Sequence, residues 1–571
     1  MAKIKQLIEC VPNFSEGRDM NVINQITDEI RNSAGVRLLD VDPGEATNRT
    51  VVTFVGEPEA VMEAAFRAVR KASQLIDMRQ HHGAHPRSGA TDVLPLVPVA
   101  GITLEECAEL ARKLAKRLAD ELEIPCYCYE AAALKPERKN LAVVRRGEYE
   151  AIPERINDPA EAPDFGARPF DEGVARTGCT NVGARDFLIA VNYNLNTTST
   201  RRANAIAFDV REKGRPAREG NPITGKVKLD ENGKKIMIPG TLKGTKGIGW
   251  YIEEYGIAQV SMNITNINVT PLHVAFDEVC RCAQNRGVRV TGTEIVGLVP
   301  ERTLLEAGRY FLEKQQRSTG IPKEDIINIA IKSLGLSDLK PFNPREKVIE
   351  YLLEDENGDD KALVKMTVKG FAEETSRESP APGGGSVAAY MGALGAALGT
   401  MVANLSSHKP GWDDRWEEFS RWADKGQALS DELLVLVDED TRAFNKIMEA
   451  FGLPKKTDED KRLRSEAIQA ATLFATQVPL QTMQAAFGAF ELCQAMAEFG
   501  NPNSDSDAGV GALAARAAVL GAGLNVKINA ASLKDREAAE KMIAEAEQLI
   551  AEAQKKEAEI IGIVERKINE A

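Results

Sequence analysis

The sequence predicts an α+β N-terminal half, made of two α/β subdomains with mixed sheets and outer helices, followed by an all-α helical domain. Two observations support this fold class. Through the first 330 residues, strand-like runs alternate with amphipathic helical segments. Beyond the acidic run "EDENGDDK", strand signals vanish, and Ala, Leu, Glu and Lys recur in long segments with a 3.6-residue period.

The same change of character divides the chain into four segments. We expect a first α/β subdomain over 1–183, a second over 184–344, a linker over 345–364, and the helical domain over 365–571. A chain of 571 residues exceeds what one hydrophobic core usually supports, so several domains are expected.

Strands and helices follow one another in the first subdomain. "VRLLDVD" and "RTVVTFVG" are predicted strands joined by the turn "DPGEATN", and "PEAVMEAAFRAVRKASQLI" is a helix that begins at proline. After the strand "DVLPLVPVAG", Thr103 is the expected N-cap of a strongly amphipathic helix, with Glu106 three residues later as in a capping box. "IPCYCYE" is the next strand.

A loop-rich region over 135–185 precedes the second subdomain. There, "FLIAVNYNL", "AQVSMNITN" and "GTEIVGLVP" predict strands, while 199–212 and "PLHVAFDEVCRCAQNRG" predict helices. Two α/β subdomains that meet at a loop-rich join provide a natural cleft for a ligand.

Charge and cysteine content narrow the functional class. The net charge of −13 argues against a general nucleic-acid or membrane-surface binder. Eight irregularly spaced cysteines favour reduced thiols in a cytoplasm over a disulfide scaffold or a four-cysteine zinc site. The N-terminus has no apolar run long enough for a signal peptide. Residues 386–405 have the length of a membrane span, but their Gly and Ala content and Asn404 favour a buried helix.

Three of the five histidines lie in "HHGAHP", residues 81–86. His81 and His85 have the four-residue spacing of helical zinc ligands, but Gly83 and Pro86 disfavour an uninterrupted helix. A proton-transfer histidine on a loop and an ordinary surface turn are the other interpretations. The residues alone leave the three interpretations open.

Two further stretches of the N-terminal half could bind or react with a ligand. Asp40 and Asp42 lie two apart at a strand end, where a carboxylate can orient a histidine or simply cap a turn. The Gly-rich run over 240–250 carries Lys243 and Lys246, which suit carboxylates, although a tight hairpin explains the glycines equally well.

The helical domain contains two candidate features. In "APGGGSVAA", three glycines and Ser386 open the apolar helix, where free amides suit an anionic or carbonyl ligand, or merely give a flexible entry. Asp440 falls on the apolar stripe of the helix over 429–451, three residues after Val437 and four before Phe444. Burial would raise the pKa of such a carboxyl towards values useful in proton transfer; a structural Asp satisfied by a neighbour is the alternative.

Motifs along nearly the whole chain occur in one order. They are "ECVPNFSEG" at 9–17, "LLDVDPG" at 38–44, "TNRTVVTFVG" at 47–56, "LIDM" at 75–78, "HPRSGATDV" at 85–93, "APDFG" at 162–166, "VGAR" at 182–185, "KGIGWY" at 246–251, "VGLVP" at 296–300, "APGGGSVAA" at 381–389 and "LVDEDTRAF" at 436–444.

Together these motifs resemble the bifunctional formimidoyltransferase-cyclodeaminase family. The resemblance implies that 1–183 and 184–344 are the N- and C-subdomains of a formimidoyltransferase, and that 365–571 is a cyclodeaminase. The first activity would transfer the formimino group from N-formimino-L-glutamate to tetrahydrofolate. The second would convert 5-formiminotetrahydrofolate to 5,10-methenyltetrahydrofolate and ammonia, at the end of histidine breakdown. The resemblance further implies a homo-oligomer, polyglutamylated folate as co-substrate, and no metal.

The resemblance also assigns roles to residues. The transferase histidine falls on His85, the assisting aspartate on Asp42, and the cyclodeaminase aspartate on Asp440. The expected substrate- and folate-binding residues are Gly166, Ala167, Arg168, Gly178, Gly240, Thr241, Leu242, Lys243, Gly244, Thr245, Lys246, Gly247, Ile248, Gly249, Gly383, Gly384, Gly385 and Ser386.

This chain departs from the family pattern at three places. Ala84 and Ser88 stand where the family has Glu and Met, and a hairpin-like insert occupies 219–240. A folate one-carbon transferase with another donor, a metal-dependent hydrolase built on the histidines, and a non-catalytic helical scaffold are the competing hypotheses.

Overall fold

The chain forms two compact units, which we call the α/β unit and the helical unit. The α/β unit comprises Met1–Thr303 and Leu334–Leu353, and the helical unit comprises Leu304–Ser333 and Glu354–Ala571. Leu304–Ser333 therefore groups with the helical unit, although the sequence boundaries place it in the second α/β subdomain. The computed structural model describes residues 6–45, 47–83, 86–221, 224–352 and 362–570.

Strands account for much of the α/β unit. They are β1 (Leu7–Cys10), β2 (Asn13–Phe14), β3 (Val36–Gly44), β4 (Arg49–Gly56), β5 (Thr91–Ala100), β6 (Cys126–Glu130), β7 (Thr180–Ala184), β8 (Ile189–Leu195), β9 (Arg215–Pro216), β10 (Met237–Ile238), β11 (Thr245–Ile252), β12 (Ile257–Ile264) and β13 (Val290–Val296).

The helices of both units follow in chain order. They are α1 (Met20–Arg31), α2 (Pro58–Leu75), α3 (Leu104–Leu122), α4 (Leu141–Val144), α5 (Ile152–Arg155), α6 (Glu172–Thr177), α7 (Thr200–Val210), α8 (Leu272–Gln284), α9 (Glu301–Lys314), α10 (Lys323–Leu334), α11 (Pro344–Lys347), α12 (Val368–Thr375), α13 (Gly384–Ser407), α14 (Trp416–Gly452), α15 (Asp458–Phe499), α16 (Asp505–Ala530) and α17 (Arg536–Glu570).

Seven strands make the larger sheet of the α/β unit. Its order is β1-β4-β2-β5-β7-β6, with β3 also pairing to β4; β7 runs parallel to both β5 and β6, and the remaining pairs are antiparallel. Apolar side chains of one face, including Phe14, Phe54, Leu94 and Leu96, pack with α1, α2 and α3 in one buried core. On the opposite face, the tyrosines of β6 pack in a second, smaller apolar cluster, and Arg49 contacts Asp92.

The second sheet is antiparallel, with strand order β11-β12-β8-β13. Along β8, Val191, Tyr193 and Leu195 are buried, as expected for a strand with one face against helices. The alternate positions Asn192 and Asn194 are buried as well and use hydrogen bonds: Asn194 accepts from Gln259 at 2.8 Å, and Asn192 donates to Glu294 at 3.0 Å. The sheet therefore has one apolar face and one face of paired amides.

The mixed-sheet α+β half and the all-helical C-terminal part confirm the predicted fold class. Thr103 caps α3 with the predicted capping box, in which Glu106 contacts the Thr103 backbone at 2.8 Å. Strands β1, β2, β7 and β11 were not predicted; β11 lies in the Gly-rich run that was interpreted as a ligand-binding stretch or a tight hairpin. The 219–240 insert forms a largely exposed hairpin, with the bridge Leu229–Lys235 and the short pair β9 and β10 at its base.

In the helical unit, α13 packs against α14, α15 and α16. Close packing is possible because α13 presents small residues: Gly399, for example, leaves no room for a side chain against Leu492. Gly384–Ser407 and Pro502–Ala530 both have the length and apolar composition of membrane spans. In the most apolar window of the first segment, 61% of the residues are buried inside the unit, and in that of the second, 50% are. The core helices of soluble proteins have the same length and composition.

The prediction that the apolar stripe of α14 faces the core is correct for only part of the stripe. On α14, Leu433, Leu436 and Val437 are buried, but Phe444, Met448 and Phe451 are 40–54% exposed. The first turns of the next helix, α15, are largely exposed too, and Arg464 there donates to the Phe451 carbonyl at 3.1 Å and lies over the Phe451 ring. The apolar stripe continues in sequence beyond the packed bundle.

Candidate functional site

The helical unit brings its two predicted features together. The Oδ2 atom of Asp440 on α14 lies 2.9 Å from the backbone nitrogen of Ser386 and 3.1 Å from its hydroxyl oxygen. Ser386 is in the first turn of α13 and is fully buried. The carboxyl group of Asp440 therefore caps the glycine-rich start of α13. Burial raises the pKa of Asp440, although its hydrogen bonds with Ser386 act in the opposite direction.

The Ser386 hydroxyl has two acceptors within reach. It donates to Oδ2 of Asp440 at 3.1 Å and also lies 2.9 Å from the carbonyl oxygen of Val437, which can only accept a hydrogen bond. A hydroxyl carries one proton, so the two acceptors share it. The described contacts give Asp440 no cationic partner, so burial favours its protonated form.

The glycines let the backbone at the start of α13 lie directly against this carboxyl group. A Cβ atom on Gly385 would lie 2.1 Å from Oδ1 of Asp440, so no side chain is possible there. A Cβ atom on the preceding residue, Gly384, would lie 3.6 Å from the amide nitrogen of Asn525 on α16. Gly383, the N-cap, has no side chain to cap the amides of the first turn. Asn525 is a polar neighbour of the site that the sequence did not indicate.

In the α/β unit, Asp42 is exposed and lines a cavity of about 360 Å³. Asp40 lines the same cavity, as does Glu294 from β13, together with Lys340 and Lys347. Burial raises the pKa of Asp40, and Lys347 opposes this shift. Two carboxylates at the end of β3 thus face one cavity, as their two-residue spacing predicts.

The predicted transferase histidine, His85, lies outside the described residues together with Ala84. The segments on either side of it are held by buried contacts. His81 is 6% exposed; its Nε2 donates to the Asn48 carbonyl at 2.8 Å, and its Nδ1 accepts from Arg87 at 3.4 Å. Burial lowers the pKa of His81, so this ring is a neutral structural group. The carbonyl of His82 accepts from the Asn48 side chain at 3.0 Å.

The predicted folate loop from Gly166 to Gly178 meets this histidine segment. Gly178 forms an isolated β-bridge with Gly89, and the Ala90 backbone N–H donates to the Thr177 carbonyl at 2.7 Å. Gly178 has a φ of 65° and leaves no space for a side chain beside Ser88. Gly166 and Ala167 are exposed, and Arg168 is fixed by Glu123 at 2.6 Å.

The second predicted folate segment is partly a strand. From Gly240 to Gly244 the chain is a loop in which Thr241 and Lys243 are exposed and Leu242 is buried, and Thr245–Ile252 is β11. Gly249 lies too close to Asn204 of α7 to carry a side chain. On the outer side of β11, Lys246 and Ile248 are exposed, whereas Thr245 is buried and Gly247 is half-buried.

A buried ionic cluster beside the histidine segment was missed by the sequence analysis. The Asp92 carboxylate has no exposed surface; it contacts the guanidinium group of Arg49, lies 2.6 Å from Arg145, and accepts from the Ser88 backbone at 2.9 Å. Burial alone would raise the pKa of Asp92, but the two arginines hold it below its ordinary value. The sequence signal was available, because Arg49 and Asp92 lie within the quoted motifs, but nothing in their spacing connected them.

All eight cysteines are free thiols. Among the residues that the structure describes, no group of three or more His, Cys, Asp or Glu side chains is arranged to hold a metal ion.

These features define a chain with two chemically distinct sites: a cavity lined by carboxylates and lysines in one unit, and a half-buried carboxyl group at a glycine-rich helix start in the other. Family models match both units. Residues 7–185 match the formiminotransferase domain, N-terminal subdomain; 190–354 match the formiminotransferase domain; and 367–548 match formiminotransferase-cyclodeaminase. The chain belongs to the formimidoyltransferase-cyclodeaminase family.

Similarity to individual proteins covers the whole chain or one part of it. A Mus musculus formimidoyltransferase-cyclodeaminase is 43% identical over 94% of this chain and 95% of its own length. A glutamate formimidoyltransferase of Streptococcus pyogenes serotype M1 is 40% identical over 55% of this chain and 94% of its own. A methenyltetrahydrofolate cyclohydrolase of Methylorubrum extorquens is 40% identical over 31% of this chain and 86% of its own.

The raised pKa of Asp440 predicts a pH-dependent effect of Asp440→Asn. Because folding raises this pKa, the folded chain keeps the proton at pH values where the unfolded chain has lost it. The free energy of unfolding contributed by Asp440 therefore falls as pH rises from the unfolded-state value of about 3.9 through the folded-state pKa. Asn does not titrate, so the stability of Asp440→Asn relative to the parent should increase over that interval.

Urea unfolding followed by circular dichroism at several pH values measures this difference. Glu449→Gln, at an exposed position of the same helix, controls for the loss of one carboxylate. If the stability difference between Asp440→Asn and the parent stays constant from acidic to neutral pH, folding does not raise the pKa of Asp440.

Proposed function

We propose that the chain catalyses two consecutive folate reactions. The α/β unit transfers the formimino group from N-formimino-L-glutamate to N5 of tetrahydrofolate and releases glutamate. The helical unit converts the resulting 5-formiminotetrahydrofolate to 5,10-methenyltetrahydrofolate and ammonia. The observation that carries this proposal is the half-buried Asp440 carboxyl group, held by Ser386, in the part of the chain that matches the cyclodeaminase model.

In the transfer step, His85 moves a proton between two nitrogens. N5 of tetrahydrofolate attacks the formimino carbon, a tetrahedral intermediate forms, and the bond to the glutamate nitrogen breaks. His85 takes the proton that N5 loses and returns it to the departing amine. A histidine suits both directions because its ordinary pKa is near neutrality. Asp42, at the exposed end of β3, orients the imidazole and stabilises its charged form.

In the cyclisation step, Asp440 supplies the proton for the leaving group. The formimino group reacts as its protonated amidinium, in which the imino nitrogen carries two hydrogens. N10 attacks the formimino carbon, a carboxylic acid of raised pKa gives that nitrogen its third hydrogen, and ammonia departs. The carboxylate then takes the proton that N10 loses, and the positive charge of the amidinium stays on the methenyl product, so the step balances without a metal or a redox cofactor. The first turn of α13, from Gly383 to Ser386, borders the folate near the reacting carbon.

Several broader properties form part of the proposal. The co-substrate is a polyglutamylated tetrahydrofolate, for whose carboxylates the exposed Lys243 and Lys246 provide positive charge. The chain forms a homo-oligomer, which would cover exposed apolar side chains such as Leu524 and Ile528 on α16. It works in the cytoplasm, where its eight free thiols remain reduced.

Two substitutions should separate the activities. His85→Ala removes the proton carrier of the transfer step and should lower formation of 5-formiminotetrahydrofolate by about 100-fold or more, with cyclodeamination unchanged. Asp440→Ala should do the reverse by a similar factor. Each activity is measured alone, the first with formiminoglutamate and tetrahydrofolate, the second with 5-formiminotetrahydrofolate and detection of ammonia. A His85→Ala enzyme that transfers normally, or an Asp440→Ala enzyme that still cyclises, would refute that residue's role.

A second candidate activity of the helical unit is hydrolysis of the methenyl product. The similarity to the Methylorubrum extorquens cyclohydrolase favours it. Water would attack the same amidinium carbon from which ammonia departs, and Asp440 would exchange the proton in the opposite direction. The product is a formyltetrahydrofolate.

Supplying 5,10-methenyltetrahydrofolate directly tests the hydrolysis. We expect the parent and His85→Ala enzymes to accelerate loss of methenyl absorbance equally, and Asp440→Ala to return to the rate in buffer. If the parent enzyme does not exceed the buffer rate, the hydrolytic activity is absent.

A further inference from the structure

The cavity beside Asp42 combines charges of both signs within the α/β unit. Its volume of about 360 Å³ falls in the range of small-molecule sites, which is roughly 300 to 1,000 Å³. The end of β3 contributes Asp40 and Asp42, β13 contributes Glu294, and the segment after α10 contributes Lys340 and Lys347. The ligand that fits this cavity depends on which of these charges already have partners.

Two charged groups at the cavity are used by the protein itself. The Nζ atom of Lys340 lies 3.5 Å from Glu254 and over the ring of Tyr255. On α11, the carboxylate of Glu346 accepts a hydrogen bond from the Asn343 side chain at 2.7 Å. Lys340 and Glu346 therefore contribute little to what the cavity offers a ligand.

Glu294 is held in place by amides of the second sheet. Its Oε2 atom accepts from the Asn192 side chain at 3.0 Å and lies 3.4 Å from the amide nitrogen of Gln259. Both amide residues are buried, so the carboxylate has a fixed position at the cavity. Glu294 supplies negative charge there, although its hydrogen-bond donors come from the protein.

Asp40 and Lys347 differ from these groups, because neither forms an ion pair with another residue that the structure describes. Both side chains are half-buried and line the cavity. Burial raises the pKa of Asp40 and the charge of Lys347 lowers it, so the two groups act on each other without touching. A charge that is partly removed from water is stabilised by a partner of opposite sign. A ligand with a cation for Asp40 and an anion for Lys347 would satisfy both.

The donor substrate of the proposed transfer has this distribution of charge. An amidine is a strong base, so the formimino group of formiminoglutamate is a planar amidinium cation at neutral pH. Its N–H groups can form two parallel hydrogen bonds with one carboxylate, as a guanidinium group does. The carboxylates of the same molecule suit the ammonium group of Lys347. Its short aliphatic chain suits Leu336 and Phe342, which line the same cavity.

We propose that this cavity binds formiminoglutamate, with Asp40 on the amidinium group and Lys347 on a carboxylate. This inference rests on the proposed transferase function. Glu294 adds negative charge near the amidinium, and Asp42, at the exposed end of β3, keeps the separate role proposed above. The cavity thereby distinguishes a formimino donor from a formyl donor, because a formamide group carries no positive charge.

Kinetics of Asp40→Asn test the contact with the amidinium, with Asp120→Asn as the matched control. Asparagine has nearly the shape of aspartate but no charge, so the KM for formiminoglutamate should rise by about 10- to 100-fold. The KM for tetrahydrofolate should stay within about twofold, which also shows that the α/β unit is folded. Asp120 is exposed on α3 and pairs with Lys116, and its substitution should leave both KM values unchanged.

Two substitutions of Lys347 test the contact with the carboxylate. Lys347→Gln removes the charge and should raise the KM for formiminoglutamate by about 10- to 100-fold. Lys347→Arg should keep this KM within about threefold of the parent value, because arginine also pairs with carboxylates. Lys332→Gln, at an exposed position of α10, controls for the loss of one lysine and should have no effect.

Two unreactive analogues test the charge preference on the parent enzyme without any variant. N-carbamimidoyl-L-glutamate carries a planar guanidinium cation in place of the formimino group, and N-carbamoyl-L-glutamate carries a neutral urea group of the same shape. We expect the cationic analogue to compete with formiminoglutamate at least about tenfold more tightly than the neutral one. This difference should shrink to about threefold or less in Asp40→Asn.

The outcomes separate the two proposals. A parent enzyme that does not transfer from formiminoglutamate overturns the proposed function. If the parent enzyme transfers normally, the inference alone is overturned by an unchanged KM for formiminoglutamate in Asp40→Asn or Lys347→Gln. It is also overturned by a cationic analogue that competes no better than the neutral one. If Asp40→Asn fails to fold, the comparison of the two analogues on the parent enzyme decides.

Discussion

A carboxylate that is removed from water must be neutralised by a proton or by cations, and this constraint explains the state of one carboxyl group in each unit. Asp92 is fully buried and touches two arginines, so it stays ionised and ties β4, β5 and the Arg145 loop into one structure. Asp440 is half-buried beside a serine and a helix start with no cation among its described contacts, so partial burial raises its pKa. The same side chain is thus a structural anion in one unit and a candidate acid in the other.

The sequence predicted those parts of the chain in which local pattern and final environment agree. The apolar run of β5 and the capping box of α3 needed no tertiary information. Asp440 was found because an isolated carboxylate interrupts an apolar helical stripe. The strand β7, "TNVGA", was missed because it is short, contains Asn and Gly, and is buried by neighbours distant in sequence. The exposed Phe444 and Met448 show the opposite error, since an apolar stripe cannot reveal where its packing partner ends.

The ionic cluster of the α/β unit was less predictable than the site in the helical unit for a physical reason. In the helical unit, two features converge because helices place residues at regular intervals. In the α/β unit, Arg49, Asp92 and Arg145 come from two strands and a loop, and a β-bulge turns Asp92 towards the others. No periodicity encodes such a meeting. The two units also match relatives of different length, one that covers 55% of the chain and another that covers 31%, which fits two separable chemistries.

The two proposed reactions require two independent sites, one with His85 and the other with Asp440. A mixture of variants tests this independence: His85→Ala and Asp440→Ala enzymes are combined with formiminoglutamate and tetrahydrofolate, and methenyltetrahydrofolate and ammonia are followed together. With independent sites, neither variant alone forms both products and the mixture does, because one variant makes the intermediate that the other consumes. A mixture as inactive as either variant, when each is shown to retain its own single activity, would contradict two independent sites.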